Sequence, residues 1–199
     1  RLDVQVLESS LQEIIRRHEI LRTRFVIVNG HVQQQILPEV WIAIRQENLQ
    51  MLSADQQTAA VQQWLIDETN RSFDLSSGSL IRFSLLQLAA EQYILVVGLH
   101  HIIADEWSIN ILIEEFSSLY SALREGWPSP LPELPIQYAD YACWQRRRLQ
   151  REVLRKQLDY WTKQLTGRPS LLELPTDFPR PKKLQHTGAK YHFRIPNET

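Results

Sequence analysis

Hydrophobic residues in the first part of the chain recur at spacings of three and four, which is the period of one face of an α-helix. Asp3 precedes this pattern, so we expect it to cap a first helix that runs to about Ile20. The β-branched and aromatic residues that follow predict two strands, 24–28 and 31–37. They are separated by Asn29-Gly30, a dipeptide that readily adopts the backbone angles of a tight hairpin turn.

The middle of the chain predicts further strands and a second helix. A strand at 41–45 precedes Ser53-Ala54-Asp55-Gln56, a capping-box pattern that begins a helix extending to about Asn70. Two more strands, 80–88 and 92–100, follow this helix. The second of them is almost entirely apolar, so we expect it to be covered on both faces.

The second half of the chain predicts two more helices. Ser108 is expected to cap a helix whose apolar residues over 109–123 share one face, and Gly126 ends it. After a proline-rich connector, 137–165 predicts one long helix, and the remaining residues resemble a linker that ends in a strand at 189–195. Helices that alternate with strands and hairpins predict an α/β fold, a mixed β-sheet layered with helices.

Composition narrows the class of protein. A hydrophobic content of 43% is typical of a globular chain. The net charge of −1 gives no overall electrostatic attraction to nucleic acid or to a membrane. The longest apolar run, 93–99, is too short to span a bilayer, and residues 1–3 lack a signal-peptide pattern. The single Cys143 excludes an intramolecular disulfide, so we expect the cytoplasm. Because the sequence opens without Met and at once in a helical pattern, we expect it to be cut from a longer polypeptide.

The densest group of chemically active residues is 100–108, His-His-Ile-Ile-Ala-Asp-Glu-Trp-Ser, at the end of a predicted strand and the start of a helix. Neighbouring side chains of a strand point to opposite faces, so one of His100 and His101 is expected to pack and the other to act. A histidine exchanges a proton near neutral pH, and Asp105 is close enough to brace the turn.

Three other interpretations of this segment compete with a catalytic site. A satisfied pair of core histidines fits the local pattern equally well. A metal site is disfavoured because even a catalytic zinc needs three protein ligands, and no third ligand stands nearby. A serine hydrolase built on Ser108 is disfavoured because the sequence lacks the G-x-S-x-G pattern around it.

These residues resemble the condensation domains of nonribosomal peptide synthetases, which are relatives of chloramphenicol acetyltransferase. Segment 100–108 is similar to the family signature HHxxxDGWS. Four further segments match family motifs in the family's order: 17–25 (RHExLRTxF), 73–82 (FDLxxGPLxR), 138–145 (YADYAxWQ) and 174–181 (LPTDRPRP). Five ordered matches spread over nearly the whole chain are far more specific than any one of them.

The resemblance implies that 1–166 is the N-terminal chloramphenicol acetyltransferase-like subdomain, and that 167–199 is the crossover linker and first strand of the C-terminal subdomain. The active site would lie at the junction of the two halves, so the isolated fragment is expected to be inactive. The implied partners are that C-terminal half, donor and acceptor peptidyl carrier protein domains, and a neighbouring adenylation domain. No cofactor would bind directly and no metal is implied, because substrates arrive on the phosphopantetheine of the carriers.

The implied activity is that of an acyltransferase, which forms an amide between a carrier-bound acyl or peptidyl thioester and a carrier-bound aminoacyl group. His101 matches the second histidine of the signature and would hydrogen-bond the attacking amine. Asp105 would brace the loop, with Arg22 as its candidate partner. The implied site residues are His101, His100 and Asp105 as catalytic group, and Arg22, Trp107 and Ser108 as structural support.

Glu106 departs from the signature, because it stands where the family usually has Gly beside the donor tunnel. A side chain there takes room from the pantetheine arm or the thioester. The carboxylate would narrow the donor route, repel an acidic donor, pair with a cationic one, or mark a domain that no longer condenses. The alternative function is therefore a noncatalytic condensation-like module that recruits a carrier protein or a tailoring enzyme.

Overall fold

The computed structural model describes most of the chain, namely residues 1–169, 172, 174–179 and 193–194. The chain divides into two compact units, Arg1–Gln150 and Arg151–Thr199. The elements of the first unit are α1 (Val4–Arg17), a 3₁₀ turn (Glu19–Arg22), β1 (Thr23–Val28), β2 (His31–Ile36), β3 (Ile44–Asn48), α2 (Ala54–Asn70), β4 (Ile81–Ala89), β5 (Gln92–Leu99), α3 (Glu106–Arg124) and α4 (Tyr138–Arg148). The second unit contains α5 (Arg151–Leu165). The subdomain boundary expected at 166/167 concerns the halves of a larger fold and stays a prediction.

The capping and turn signals of the first seventy residues produce the elements that they predict, but the strand predicted at 41–45 lies three residues later, as β3 at Ile44–Asn48. Asp3 caps α1 by accepting hydrogen bonds from the backbone N–H groups of Gln5 and Val6, although the helix ends three residues before Ile20. In the β1–β2 hairpin, Asn29 and Gly30 have φ angles of 52° and 77°, as the predicted turn requires. Ser53 and Gln56 form both hydrogen bonds of a capping box at the start of α2.

The second sheet is mixed, as predicted, and has the strand order β3-β4-β5. β3 runs parallel to β4, and β5 runs antiparallel to β4 with Ile81 opposite Leu99. The full burial that the apolar sequence of β5 predicts is wrong, although a helix lies against each face of the strand. β4 is the central and most buried strand because it has neighbours on both sides, whereas β5 is half-exposed and pairs only with β4 among the described residues.

Helices cover both faces of this sheet. Gly98 of β5 faces Glu68 of α2, whereas Val97 lines an apolar groove of about 320 Å³ with residues of α1 and α3. Alternation along the strand therefore directs even-numbered residues of β5 toward α2 and odd-numbered ones toward α1 and α3. The buried core comprises Leu7, Leu11, Ile14, Ile15, Leu21, Ile44, Leu80, Ile81, Phe83, Leu85, Ile103 and Leu119.

Helix α3 begins earlier than predicted. Its N-cap is Asp105 and not Ser108, because the Asp105 carboxylate accepts the N–H of Ser108 at 2.9 Å. The helix ends as expected at Gly126, whose N–H donates to the carbonyl of Leu123. Ile113, predicted on the buried face, is exposed because it lines the open groove.

The single helix predicted over 137–165 is wrong. The chain forms α4 and α5, and the break between them places Arg151 at a φ of +48°, in the left-handed region. No glycine or proline marks this break in the sequence. The predicted strand at 189–195 lies outside the described residues, apart from Phe193 and Arg194. None of the helices in the described part combines the length and hydropathy that a membrane span requires.

A buried ionic cluster joins α1 to α3. The Arg17 Nε donates to Glu115 Oε1 at 3.1 Å, and Glu115 Oε2 lies 2.6 Å from His18 Nε2. Arg17 also donates to the carbonyl of Pro132 in the proline-rich connector. Gln137, just before α4, donates to the Arg17 carbonyl at 2.9 Å. The end of α1, α3 and the connector are therefore fixed to one another near the segment that follows β5.

Candidate functional site

His100 lies at the end of β5 and is half-buried by packing. Its backbone N–H donates to the Leu80 carbonyl at 3.0 Å, and its ring meets Phe73 edge-on, with centroids 5.9 Å apart and planes at 88°. Its Nδ1 lies 3.0 Å from the backbone nitrogen of Ile102. Because a backbone N–H only donates, Nδ1 is the acceptor, and the neutral ring carries its proton on Nε2.

His101 is exposed, in contrast to His100. The loop that carries it is fixed on both sides, because Ile103 is buried in the core and its N–H donates to the His100 carbonyl at 3.0 Å. One histidine therefore packs and the other is open to solvent, as expected, although β5 ends at Leu99 and His101 lies in the turn that follows it. This arrangement presents a single imidazole at the junction of β5 and α3.

Asp105 closes the loop as the N-cap of α3. One carboxylate oxygen accepts both the Ser108 N–H at 2.9 Å and the Ser108 hydroxyl at 2.7 Å. These two hydrogen bonds lower the pKa of Asp105 below its ordinary value, because they stabilise the charged form. The carboxylate is therefore ionised at neutral pH and acts here as an acceptor that holds the loop.

The candidate pairing of Asp105 with Arg22 is wrong in this structure. The Arg22 guanidinium donates to the Leu37 carbonyl at 2.5 Å and lies 3.4 Å from a carboxylate oxygen of Glu19. Asp105 is engaged instead by Ser108, and no ion pair of Asp105 occurs among the described residues. Arg22 thus supports the β2 end of the hairpin rather than the His101 loop.

The residues after Asp105 form the first turn of α3. Glu106 is exposed in this turn, where the positive end of the helix dipole stabilises its negative charge. The Trp107 side chain is 78% exposed, so its supporting role stays a prediction for the complete domain. Ser108 supports the loop through its two hydrogen bonds to Asp105. The assignment of Glu106 to the donor tunnel also stays a prediction.

Sequence reasoning missed the residues that hold His100. Phe73 meets the His100 ring, and Arg82 covers Phe73 with its guanidinium carbon 3.6 Å from the ring centroid. Both residues belong to segment 73–82, one of the five segments that match family motifs. The signal in the sequence is Arg82 itself, which is the only charged residue of β4. Among the described residues, no group of three or more His, Cys, Asp or Glu side chains is placed to hold a metal ion.

Known proteins resemble this chain along its whole length. The sequence profile described as "Condensation domain" matches residues 1–199. The chain belongs to the condensation-domain family. It is 43% identical over 197 residues, 99% of this chain, to a linear gramicidin synthase protein of Brevibacillus parabrevis. It is 47% identical over 184 residues, 92% of this chain, to malpinin synthetase of Mortierella alpina.

Solved structures share the fold of this condensation-domain segment. The X-domain from teicoplanin biosynthesis superposes with a TM-score of 0.77 at 30% identity, over 91% of this chain and 40% of that one. The same kind of X-domain in complex with OxyB gives 0.75 at 29% identity, over 91% of this chain and 39% of that one. The segment spans 2% of the length of each of these two relatives, and it corresponds to the N-terminal part of a condensation domain.

Proposed function

We propose that the condensation domain containing this chain forms an amide bond between two carrier-bound substrates. The amine of an aminoacyl group attacks the carbonyl carbon of an acyl or peptidyl thioester. The C–N bond forms, the C–S bond breaks, and the proton that the amine loses passes through His101 to the leaving sulfur, which departs as a thiol. The observation that supports this proposal is the exposed imidazole of His101, on a loop fixed by His100, Ile103 and Asp105.

The reaction depends more on the alignment of the amine with the thioester than on a strong base. An α-amino group has a reference pKa of about 7.7 to 8.0, so a sizeable neutral fraction exists at physiological pH. General-base catalysis contributes about a hundred- to ten-thousand-fold, whereas alignment of two tethered reactants contributes about 7 to 11 kcal/mol. His101 therefore mainly hydrogen-bonds and orients the amine, and accepts its proton as the C–N bond forms.

The proposed partners follow from the family. Donor and acceptor carrier domains bring the substrates on phosphopantetheine, a C-terminal subdomain completes the cleft beside His101, and an adenylation domain loads the acceptor carrier. The relatives support this assembly, because the matched proteins are far longer than this chain. In the same proposal 1–166 is the N-terminal subdomain, 167–199 begins the C-terminal one, and the fragment alone is inactive. The proposed compartment is the cytoplasm.

A noncatalytic recruiting module is the second candidate function. A solved X-domain that is 29% identical to this chain forms a complex with OxyB. Glu106, where the family signature has Gly, is the feature of this chain that favours the same kind of role. Such a module would bind a carrier protein or a tailoring enzyme through the same fold without joining substrates.

Condensation by the intact parent protein tests the proposal. Donor and acceptor carriers are loaded chemically, and product is followed by mass spectrometry in the wild type, His101→Ala and His31→Ala. His31 is an exposed residue of the hairpin and serves as the matched control. We expect product with the wild type and the control, and its loss in His101→Ala. Undiminished product in His101→Ala contradicts the proposed mechanism, and no product from a folded wild type that binds a partner supports the recruiting module.

A further inference from the structure

Arg82 occupies an unusual place for a charged residue, because it lies in the central strand β4 with only 16% of its side chain exposed. Every nitrogen of its guanidinium has an acceptor at the end of α2. The Nε donates to Glu68 Oε1 at 2.5 Å, one terminal nitrogen to the Arg71 carbonyl at 2.8 Å, and the other to the Ser72 carbonyl at 3.2 Å. The planar group is therefore held in one orientation rather than solvated.

Gly98 makes this arrangement possible. It is the cross-strand partner of Arg82 in the β4–β5 ladder. A Cβ atom at position 98 would lie 2.6 Å from Glu68 Oε1, so the Glu68 carboxylate would have to move from its present position. A glycine inside a strand weakens the strand, and here it leaves the space through which the Glu68 carboxylate reaches Arg82.

The fixed guanidinium is the first member of a stack that ends at the candidate site. Its central carbon lies 3.6 Å from the centroid of the Phe73 ring, within the range of a cation–π contact. The Phe73 ring in turn meets His100 in an edge-to-face arrangement. His100 accepts the N–H of Ile102, so the residues on both sides of His101 are tied to the stack.

We propose that Arg82 and Phe73 are positioning residues for the condensation reaction: Glu68 holds Arg82, Arg82 and Phe73 orient the His100 ring, and His100 fixes the loop that presents His101. This inference rests on the proposed function of His101. Neither Arg82 nor Phe73 reaches the reacting atoms, so both act through His100. The stack gives the first histidine of the pair a task distinct from that of the second.

The experiment compares matched variants in the intact condensation domain. Arg82→Lys keeps the charge but cannot reach three acceptors from one planar group, and Phe73→Leu keeps the apolar volume but removes the ring. Phe73→Tyr retains the ring and serves as the conservative rescue. Arg124→Lys is the control, because Arg124 is an exposed arginine in the last turn of α3, away from Glu68 and Arg82.

Two measurements on each variant separate positioning from folding. Nitrogen NMR of ¹⁵N-histidine-labelled protein reports the His100 tautomer, which we expect to change from the Nε2–H form to a mixture in Arg82→Lys and Phe73→Leu. In steady-state condensation assays we expect kcat to fall by about tenfold to hundredfold, with the KM for both carriers unchanged. The reason is that a small displacement of a reacting group lowers the rate of the chemical step. Phe73→Tyr and Arg124→Lys are expected to match the wild type in both the His100 tautomer and the condensation kinetics.

An unchanged His100 tautomer and unchanged kcat in folded Arg82→Lys and Phe73→Leu overturn the proposal. So does a changed tautomer with unchanged kcat, which shows that His100 does not act on His101. Should Arg82→Lys fail to fold, Phe73→Leu and its Tyr rescue decide the question alone. Failure of the proposed function gives a different result, because His101→Ala would then be fully active whatever the tautomer of His100.

Discussion

The carboxylate of Glu115 lies 3.1 Å from the Arg17 guanidinium, and both side chains are largely buried, with 13% and 6% exposed. The two residues are 98 positions apart in the chain and connect α3 to the end of α1. A buried ion pair of this kind is costly to break, because removal of one partner leaves an uncompensated charge. The pair therefore controls how α3 is held against α1.

Glu115→Ala is expected to lower the free energy of unfolding by about 3 to 5 kcal/mol, because it leaves Arg17 buried without its carboxylate. Urea unfolding followed by circular dichroism measures the change. Glu114→Ala, at the exposed neighbouring position of α3, is the control and should alter stability little. Equal stability of the two variants would show that the Arg17 pair contributes nothing to the packing of α3.

The Asp105 cap predicts a pH dependence of stability. The Ser108 hydrogen bonds lower the Asp105 pKa in the folded protein, so the stabilisation is complete above the unfolded-state pKa and disappears as the pH falls through the lower folded value. The Tm advantage of the wild type over Asp105→Asn should therefore be constant near neutral pH and shrink below about pH 4. Thermal melts from pH 7 to pH 2 measure it, and Ser108→Ala should reduce the effect. An advantage that persists undiminished to pH 2 contradicts the assignment.

The separate environments of Arg22 and Asp105 predict the result of a double-mutant cycle. Arg22 binds Leu37 and Glu19, while Asp105 binds Ser108, so the two share no partner. Their effects on unfolding free energy should therefore be additive in Arg22→Ala, Asp105→Ala and the double variant. A coupling well beyond experimental error would restore the pairing that the family resemblance suggested.

Glu106→Gly in the intact domain is expected to raise condensation rates or broaden the range of accepted donors, since it restores the space that the family signature leaves beside the donor route. The same change removes a favourable charge from the first turn of α3, so a small loss of stability should accompany it. Competition assays with several donor thioesters measure the effect, and Glu106→Gln separates charge from size. Unchanged kinetics with every donor would show that the side chain lies away from the route.

Gly30 and Gly78 both have left-handed backbone angles, but substitution by alanine is expected to lower the free energy of unfolding by different amounts. Gly30→Ala meets no atom within 4 Å, so strain at φ +77° alone should lower the unfolding free energy, by about 1 to 2 kcal/mol. Gly78→Ala adds a contact of 2.7 Å with the Leu37 side chain to similar strain at φ +88°. Urea unfolding of both variants should therefore rank Gly78→Ala as the less stable. The reverse order would mean that Leu37 moves aside without loss.

Elements with a local cause were predictable. The hairpin at Asn29-Gly30 and the capping box at Ser53 depend on residues within four positions of each other, and both occur as expected. The cap of α3 is less predictable: Ser108 is the expected cap and Asp105 the observed one, because both residue types are good caps. The choice between them depends on where the buried Ile103 directs the chain.

The sequence by itself determined the order and type of most elements, the five motifs and, through them, the condensation-domain family, because these depend on patterns read along the chain. Only the tertiary structure decided which charges pair and what holds each histidine. Glu115 meets Arg17, and Arg82 reaches His100 through Phe73, across elements that spacing does not relate. Such partners are determined by the space available at each buried contact and by the free-energy cost of removing the charged groups from water. Neither quantity follows from the separation of two residues along the sequence.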